Sequence, residues 1–286
     1  MCRFLAYTGN PVILNDLLYE PEHSLINQSY QAEEMEEPLN GDGFGVGWYA
    51  RDLDPDPALF RSVSPAWNNR NLKYLSPRIA SDCVFAHIRA ASVGDVTELN
   101  CHPFNYNNYL MMHNGGIDDF EEIKRPLIEK LSDKRFDWLQ GQTDSEHIFA
   151  LFLDNLLKRS QDPEPADFCD AFRETFEILE QLKNKYGIPG MSYLNLLATD
   201  GDIIVGSRFV TDSDKTPLSL HHSEGKKYQC NDGDCYMTET DKHHERAILV
   251  VSETLTEKDE DWNDVPENNF VIVDENLDVE FDPISF

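Results

Sequence analysis

The chain has 286 residues, 40% of them hydrophobic, enough for a substantial core in one large domain or two small ones. It carries 53 acidic against 24 basic residues, a net charge of −29, and such a surface repels phosphate backbones and anionic membranes. No apolar run reaches the roughly eighteen residues of a membrane span, and the N-terminus lacks the basic start and apolar core of a secretory signal. The expectation is a cytoplasmic protein that binds neither nucleic acid nor membrane. Six cysteines (Cys2, Cys83, Cys101, Cys169, Cys230, Cys235) are irregularly spaced, which suits a reducing compartment rather than a disulfide framework.

Arg3 to Tyr7 reads as a strand, closed by a Gly9-Asn10-Pro11 turn. Leu14 to Leu18 and His23 to Tyr30 read as short helical or irregular pieces. A glycine-rich loop, Leu39 to Gly47, then runs into a strand. Leu59 to Val63 is expected as a strand after a Pro55/Pro57 turn, followed by apolar strands at Cys83 to Ala90 and Tyr109 to His113. Between 118 and 160 the apolar residues recur at helical spacing, and Asp167 to Lys185 reads as a long amphipathic helix stopped by Gly187 and Pro189. Strands return at Tyr193 to Thr199, Ile203 to Arg208, Ala247 to Ser252 and Phe270 to Val273. Lys227 to Cys230 and Cys235 to Thr238 flank an Asp232-Gly233 hairpin turn. Strands, then helices, then strands predict an α+β layered domain, and one domain over 1–286.

The segment Gly41-Asp42-Gly43-Phe44-Gly45 is not a phosphate loop: it lacks the dinucleotide spacing and any Gly-Lys-Ser/Thr, and Asp42 would repel phosphate. Its small residues suit a close backbone approach instead. Met1 before a small residue is the context for methionine removal. That would give Cys2 a free α-amine with a pKa of about 7.7–8, so that the nucleophile carries its own base. Amide cleavage also needs a preformed oxyanion hole. Asn114 and the Gly115 N–H, in His113-Asn114-Gly115-Gly116, can supply one, although Asn-Gly is also common turn chemistry. Arg89, ending the strand His87-Ile88-Arg89, is suited either to a bidentate grip on a carboxylate or to a partly buried salt bridge. Asp144, in Gln142-Thr143-Asp144-Ser145-Glu146, can face an ammonium group, cap a helix, or both.

Together these segments resemble the class II glutamine amidotransferases of the N-terminal-nucleophile hydrolase superfamily. The matching pieces are Met1-Cys2, Asn40 to Gly45, His87-x-Arg89, Asn100-x-His102-Pro103-Phe104, His113-Asn114-Gly115 and Thr143 to Glu146, in the same order along the chain. The later Ser252-Glu253-x-Leu255-Thr256, with Trp262 and Val265-Pro266, resembles a stand-alone branch. That branch includes an ergothioneine-pathway γ-glutamyl hydrolase and the amidase subunit of a glutathione-degrading complex. The resemblance implies a four-layer αββα sandwich of two antiparallel sheets, with no cofactor and no metal. It implies Cys2 as nucleophile, Asn114 and Gly115 as oxyanion hole, Arg89 on the substrate α-carboxylate and Asp144 on its α-ammonium. His102 would line the pocket near the γ-carbonyl, and His87 would orient the strand.

Synthase relatives carry a second domain that receives ammonia, for which this length leaves no room. The implied reaction is hydrolysis of a γ-glutamyl amide, of glutamine or a γ-glutamyl compound, through a Cys2 thioester. The alternatives are a glutaminase subunit serving a separate synthase or peptidase subunit, and a non-catalytic γ-glutamyl-binding subunit. Ala90 and Val93 stand where better-known synthases carry an aromatic and a histidine, which predicts a more open mouth. His221-His222, Cys230, Cys235 and His243-His244 invite a zinc reading, but their spacing fits a hairpin with a nearby cysteine pair better.

Overall fold

The computed structural model describes residues 2–31, 40–91, 93–231, 233–238 and 246–286. Met1, Leu39, Ser92, Asp232 and the His243-His244 pair therefore lie outside the described residues. In chain order the elements are β1 (Arg3–Ile13), α1 (Leu14–Leu18), α2 (Leu25–Gln28), β2 (Phe44–Ala50), β3 (Asp54–Ser62), α3 (Arg70–Leu75), β4 (Ala80–Ile88), β5 (Phe104–Tyr106) and β6 (Tyr109–Ile117). A helical block follows: α4 (Phe120–Ile128), α5 (Asp133–Trp138), α6 (Asp144–Arg159) and α7 (Pro165–Tyr186). The chain then returns to strands: β7 (Ser192–Thr199), β8 (Ile204–Arg208), β9 (His221–Gly225), β10 (Lys227–Asn231), β11 (Asp234–Thr238), β12 (Ala247–Val251), β13 (Asn263–Asp264), β14 (Asn269–Val273) and β15 (Val279–Pro283).

Within these residues the strands form two large antiparallel sheets and one hairpin. The first sheet runs β13-β9-β12-β1-β4-β2-β3 and the second β15-β14-β8-β7-β6-β5, while β10 and β11 pair by themselves. β1 is central and buried on both faces, so its apolar run is nearly continuous and the period of two sorts it between two cores. Phe4 and Ala6 meet Leu110, Met112, Leu197 and Val271 between the sheets. Leu5 and Tyr7 point outward, where Leu14, Leu17, Leu18 and Leu25 cover them. On the far side α6 and α7 lay Phe149, Phe152, Phe168, Phe172 and Phe176 over the second sheet. The result is the expected αββα sandwich, with one helical layer built of short pieces.

Four local expectations are corrected. β1 continues through Gly9-Asn10-Pro11 with a register shift between Thr8 and Val12, rather than ending in a turn. β3 includes both Pro55 and Pro57, because it is an edge strand where a missing N–H costs no ladder bond. β6 runs straight through Asn114-Gly115-Gly116, which pair with Asn195, Leu194 and Tyr193, so the Asn-Gly pair is strand and not turn. Cys230 and Cys235 face each other across the β10–β11 hairpin and are joined as a disulfide, whereas no disulfide was expected. Cys2, Cys83, Cys101 and Cys169 are free thiols.

Candidate active site

β1 and β4 are hydrogen-bonded neighbours in the first sheet, and their register places Arg3 opposite Ile88. Cys2 and Arg89–Ala90 therefore emerge together at one sheet end. The Cys2 thiol donates to the Ala90 carbonyl at 3.5 Å, and the Ala90 N–H donates back to Sγ at 3.4 Å. Burial pushes this thiol above its ordinary pKa, while the Ala90 hydrogen bond and the nearby Arg89 charge pull it down. Arg3 locks the position, with its Nη1 donating to the Cys2 carbonyl at 3.0 Å and its Nε to Glu253 at 2.6 Å.

Around Cys2 lies a narrow cleft lined by Arg89, Ala90, Val93, His102, His113, Gly115, Thr143, Asp144 and Ser145. Its volume is about 20 Å³, room for about one water molecule. The structure thus gathers Cys2, Arg89, His102, Gly115 and Asp144 in one place. Asn114 is adjacent on β6 but does not line the cleft, and its Oδ1 is buried without a hydrogen-bond partner. Ala90 and Val93, the two positions expected to shape the mouth, both line the cleft.

Arg89 forms no salt bridge among the described residues. Its guanidinium donates to three backbone carbonyls: Val93 at 2.9 Å, Asp95 at 3.1 Å and Gly94 at 3.4 Å. It thereby holds the turn that borders the cleft. Asp144 is the first residue of α6 and not its cap. Thr143 caps the helix by accepting from the Glu146 N–H. Asp144 accepts from the Ile117 N–H at 3.0 Å and the Ser145 N–H at 2.8 Å, so β6 and α6 both position its carboxylate.

His102 and His87 stack with ring centroids 4.1 Å apart. His87 is tied through Nε2 to the His113 carbonyl at 3.1 Å, as befits a residue that orients strands. Desolvation pushes the His87 pKa down to about 3 and that of His102 well below its usual value, so both rings stay neutral. Both ring nitrogens of His102 lack a partner among the described residues. The close approach of His102 is made by Gly45, where any side chain would overlap the His102 carbonyl oxygen, as the glycine-rich segment foretold.

The sequence reading named no role for His113 or Ser145. His113 Nδ1 lies 2.9 Å from Ser145 Oγ, and its Nε2 lies 2.9 Å from the Tyr193 carbonyl oxygen, a pairing that makes Nε2 the donor. Burial lowers its pKa against the opposing pull of Asp144. The period of two along β6 was the available signal, since it sets His113 on the same face as Gly115. The zinc reading loses its cysteine pair to the disulfide, and His221 instead lies 2.8 Å from Asp264.

The comparisons agree with this arrangement. A family model described as "Glutamine amidotransferases class-II" matches residues 20–280. The chain is 39% identical to the probable glutamine amidotransferase DUG3 of Saccharomyces cerevisiae, over 96% of this chain and 82% of that one. It is 32% identical to a gamma-glutamyl-hercynylcysteine sulfoxide hydrolase of Mycobacterium tuberculosis, over 46% of this chain and 57% of that one. A glutamine aminotransferase class-II domain protein of Silicibacter pomeroyi superposes with a TM-score of 0.68 at 24% identity, covering 99% of both chains. The glutamine phosphoribosylpyrophosphate amidotransferase of Bacillus subtilis superposes at 0.60 and 15% identity, with 99% of this chain matching 49% of that one. The family model and the yeast relative each span most of the chain, and the chain belongs to the class II glutamine amidotransferases.

Proposed function

We propose that this protein, as a single domain over 1–286, hydrolyses a γ-glutamyl amide bond through a thioester at Cys2. The supporting observation is the convergence of Cys2, Gly115, Arg89, His102 and Asp144 on one cleft. The Cys2 thiolate attacks the γ-carbonyl carbon, and Gly115 N–H with Asn114 stabilises the oxyanion that develops. The C–N bond breaks as the amine leaves with the thiol proton. Water then cleaves the thioester, releasing glutamate and restoring the thiol. Arg89 orients the α-carboxylate and Asp144 the α-ammonium, so only the γ-carbonyl reaches sulfur. The neutral His102 lines the cleft beside it. The reaction needs no cofactor or metal, and the proposal keeps it in the cytoplasm.

A second reading, a glutaminase that delivers ammonia to a separate synthase, is favoured by the narrowness of the cleft, because ammonia is the smallest leaving group. Glutamate release by the purified protein from glutamine, glutathione and γ-glutamyl anilide separates the two. Release from the bulky amides that disappears in Cys2→Ala supports the hydrolase. Release from glutamine alone supports the ammonia-supplying subunit. No release from protein whose intact mass shows Met1 removed would sink both.

A further inference from the structure

Residues 57–81 contain no aspartate or glutamate. At the chain's mean density, 53 acids in 286 residues, about five would be expected in such a stretch of twenty-five. The same residues carry Arg61, Arg70, Lys73 and Arg78. They also leave large apolar side chains exposed: Val63, Trp67, Tyr74 and Leu75. A groove of about 360 Å³ opens here, lined by Tyr19, Tyr30 and Trp67 together with Arg70 and Lys73, and among the described residues no acid lines it. Trp67 meets Tyr30 edge-on, with ring centroids 6.1 Å apart. Arg70 and Lys73, one turn apart on α3, are exposed and form no ion pair among the described residues.

We infer that this groove docks an acidic peptide segment of a partner protein, with an apolar side chain seated on Trp67 and Tyr30 and carboxylates on Arg70 and Lys73. Exposed tryptophan, tyrosine and arginine in a cluster are the residue types that dominate protein interfaces. Charge decides among the anionic ligands. A nucleic acid is a uniform polyanion and is repelled by the whole chain of −29, whereas a protein can present a local acidic segment on a balanced surface. Distance argues against the distal end of a small substrate. β4 and β2 separate β1 from β3, and three strand spacings amount to about 14 Å. A two-residue leaving group extends only about 7 Å from the bond that Cys2 would cut. The groove nevertheless adjoins the cleft through Gly41, which packs on Trp67, and Asp42, which accepts from the Ala91 N–H at 2.8 Å. A partner docked there would stand beside the substrate entrance.

The test is a fluorescence-anisotropy titration of the full-length protein with a fluorescein-labelled twelve-residue peptide, glutamates flanking a central Trp-Leu pair. A lysine-for-glutamate peptide is the control. Saturable binding of the acidic peptide alone is expected, weakened at least tenfold by Arg70→Glu/Lys73→Glu, weakened by Trp67→Ala and kept by Arg70→Lys. Circular dichroism and melting confirm that each variant is folded. The titration is repeated in a second background with Glu33, Glu34, Glu36 and Glu37 changed to glutamine. Several results overturn the inference: no saturable binding in either background, binding unchanged by the charge reversal, or equal competition by glutathione or citrate. So does salt-sensitive self-association, seen in sedimentation and lost in the double variant, because a second copy would then be the occupant. None of these readouts depends on turnover, so the inference and the proposed reaction can fail separately.

Discussion

Gly115 holds φ at +151°, and an added side chain would overlap the Tyr193 carbonyl oxygen and press on His113. Gly115→Ala is therefore expected to lose about 1–3 kcal/mol of stability through backbone strain, with activity falling further because Gly115 lines the cleft. Urea unfolding beside glutamate release measures both, and an unchanged variant would contradict the described β6 backbone. The buried histidines make a separate prediction. His87 has its pKa pushed from 6.5 to about 3, so on acidification the unfolded chain takes the proton first. Its contribution is complete above about pH 6.5 and is lost as pH falls toward 3, by about 1.4 kcal/mol per unit. His102 and His113 shift in the same direction. The unfolding midpoint should be level at neutral pH and drop below about 6.5, less steeply in His87→Gln. Equal slopes for the two proteins would remove His87 from the account.

At the scale of elements, α7 is held by aromatic stacking. Phe172 lies 4.3 Å from Phe152 and 6.0 Å from Phe270, joining two helices to β14. Phe172→Ala should cost about 3–5 kcal/mol with little change in turnover per folded molecule, because the cleft is on other elements. Loss of activity beyond loss of fold would show that the helical layer also tunes the site. This helix was legible in the sequence. Its apolar spacing and the Gly187 stop, with φ at +65°, carry the signal locally, although the helix starts at Pro165 and not at Asp167. The grouping of Cys2, Arg89, His102, Gly115 and Asp144 was legible because short motifs carry these residues. β3 and β6 were misread or shortened because local turn chemistry, Pro55/Pro57 and Asn114-Gly115, yielded to sheet position, which is a long-range property. The work of Arg89 was hidden for the same reason. Its partners are backbone carbonyls, which no side-chain pattern reveals.

Across the whole molecule, segments 250 residues apart hold Cys2 jointly. β12 pairs with β1, the Phe4 N–H donates to Ser252 Oγ at 3.0 Å, and the buried Arg3–Glu253 pair closes the join. Glu253→Ala would leave a buried guanidinium without its carboxylate, a loss of about 3–5 kcal/mol, and would loosen Cys2, which Arg3 grips. A melting curve and glutamate release on the same sample test this, and a variant that melts as the parent does would refute the join. The order of synthesis gives this arrangement a further meaning. A growing chain exposes its thiol first and receives the clamp for that thiol only some 250 residues later. Until then Arg3 lacks the Glu253 carboxylate and β1 lacks its β12 neighbour. The clamp on Cys2 is thus complete only after β12 has been made and has folded back onto β1.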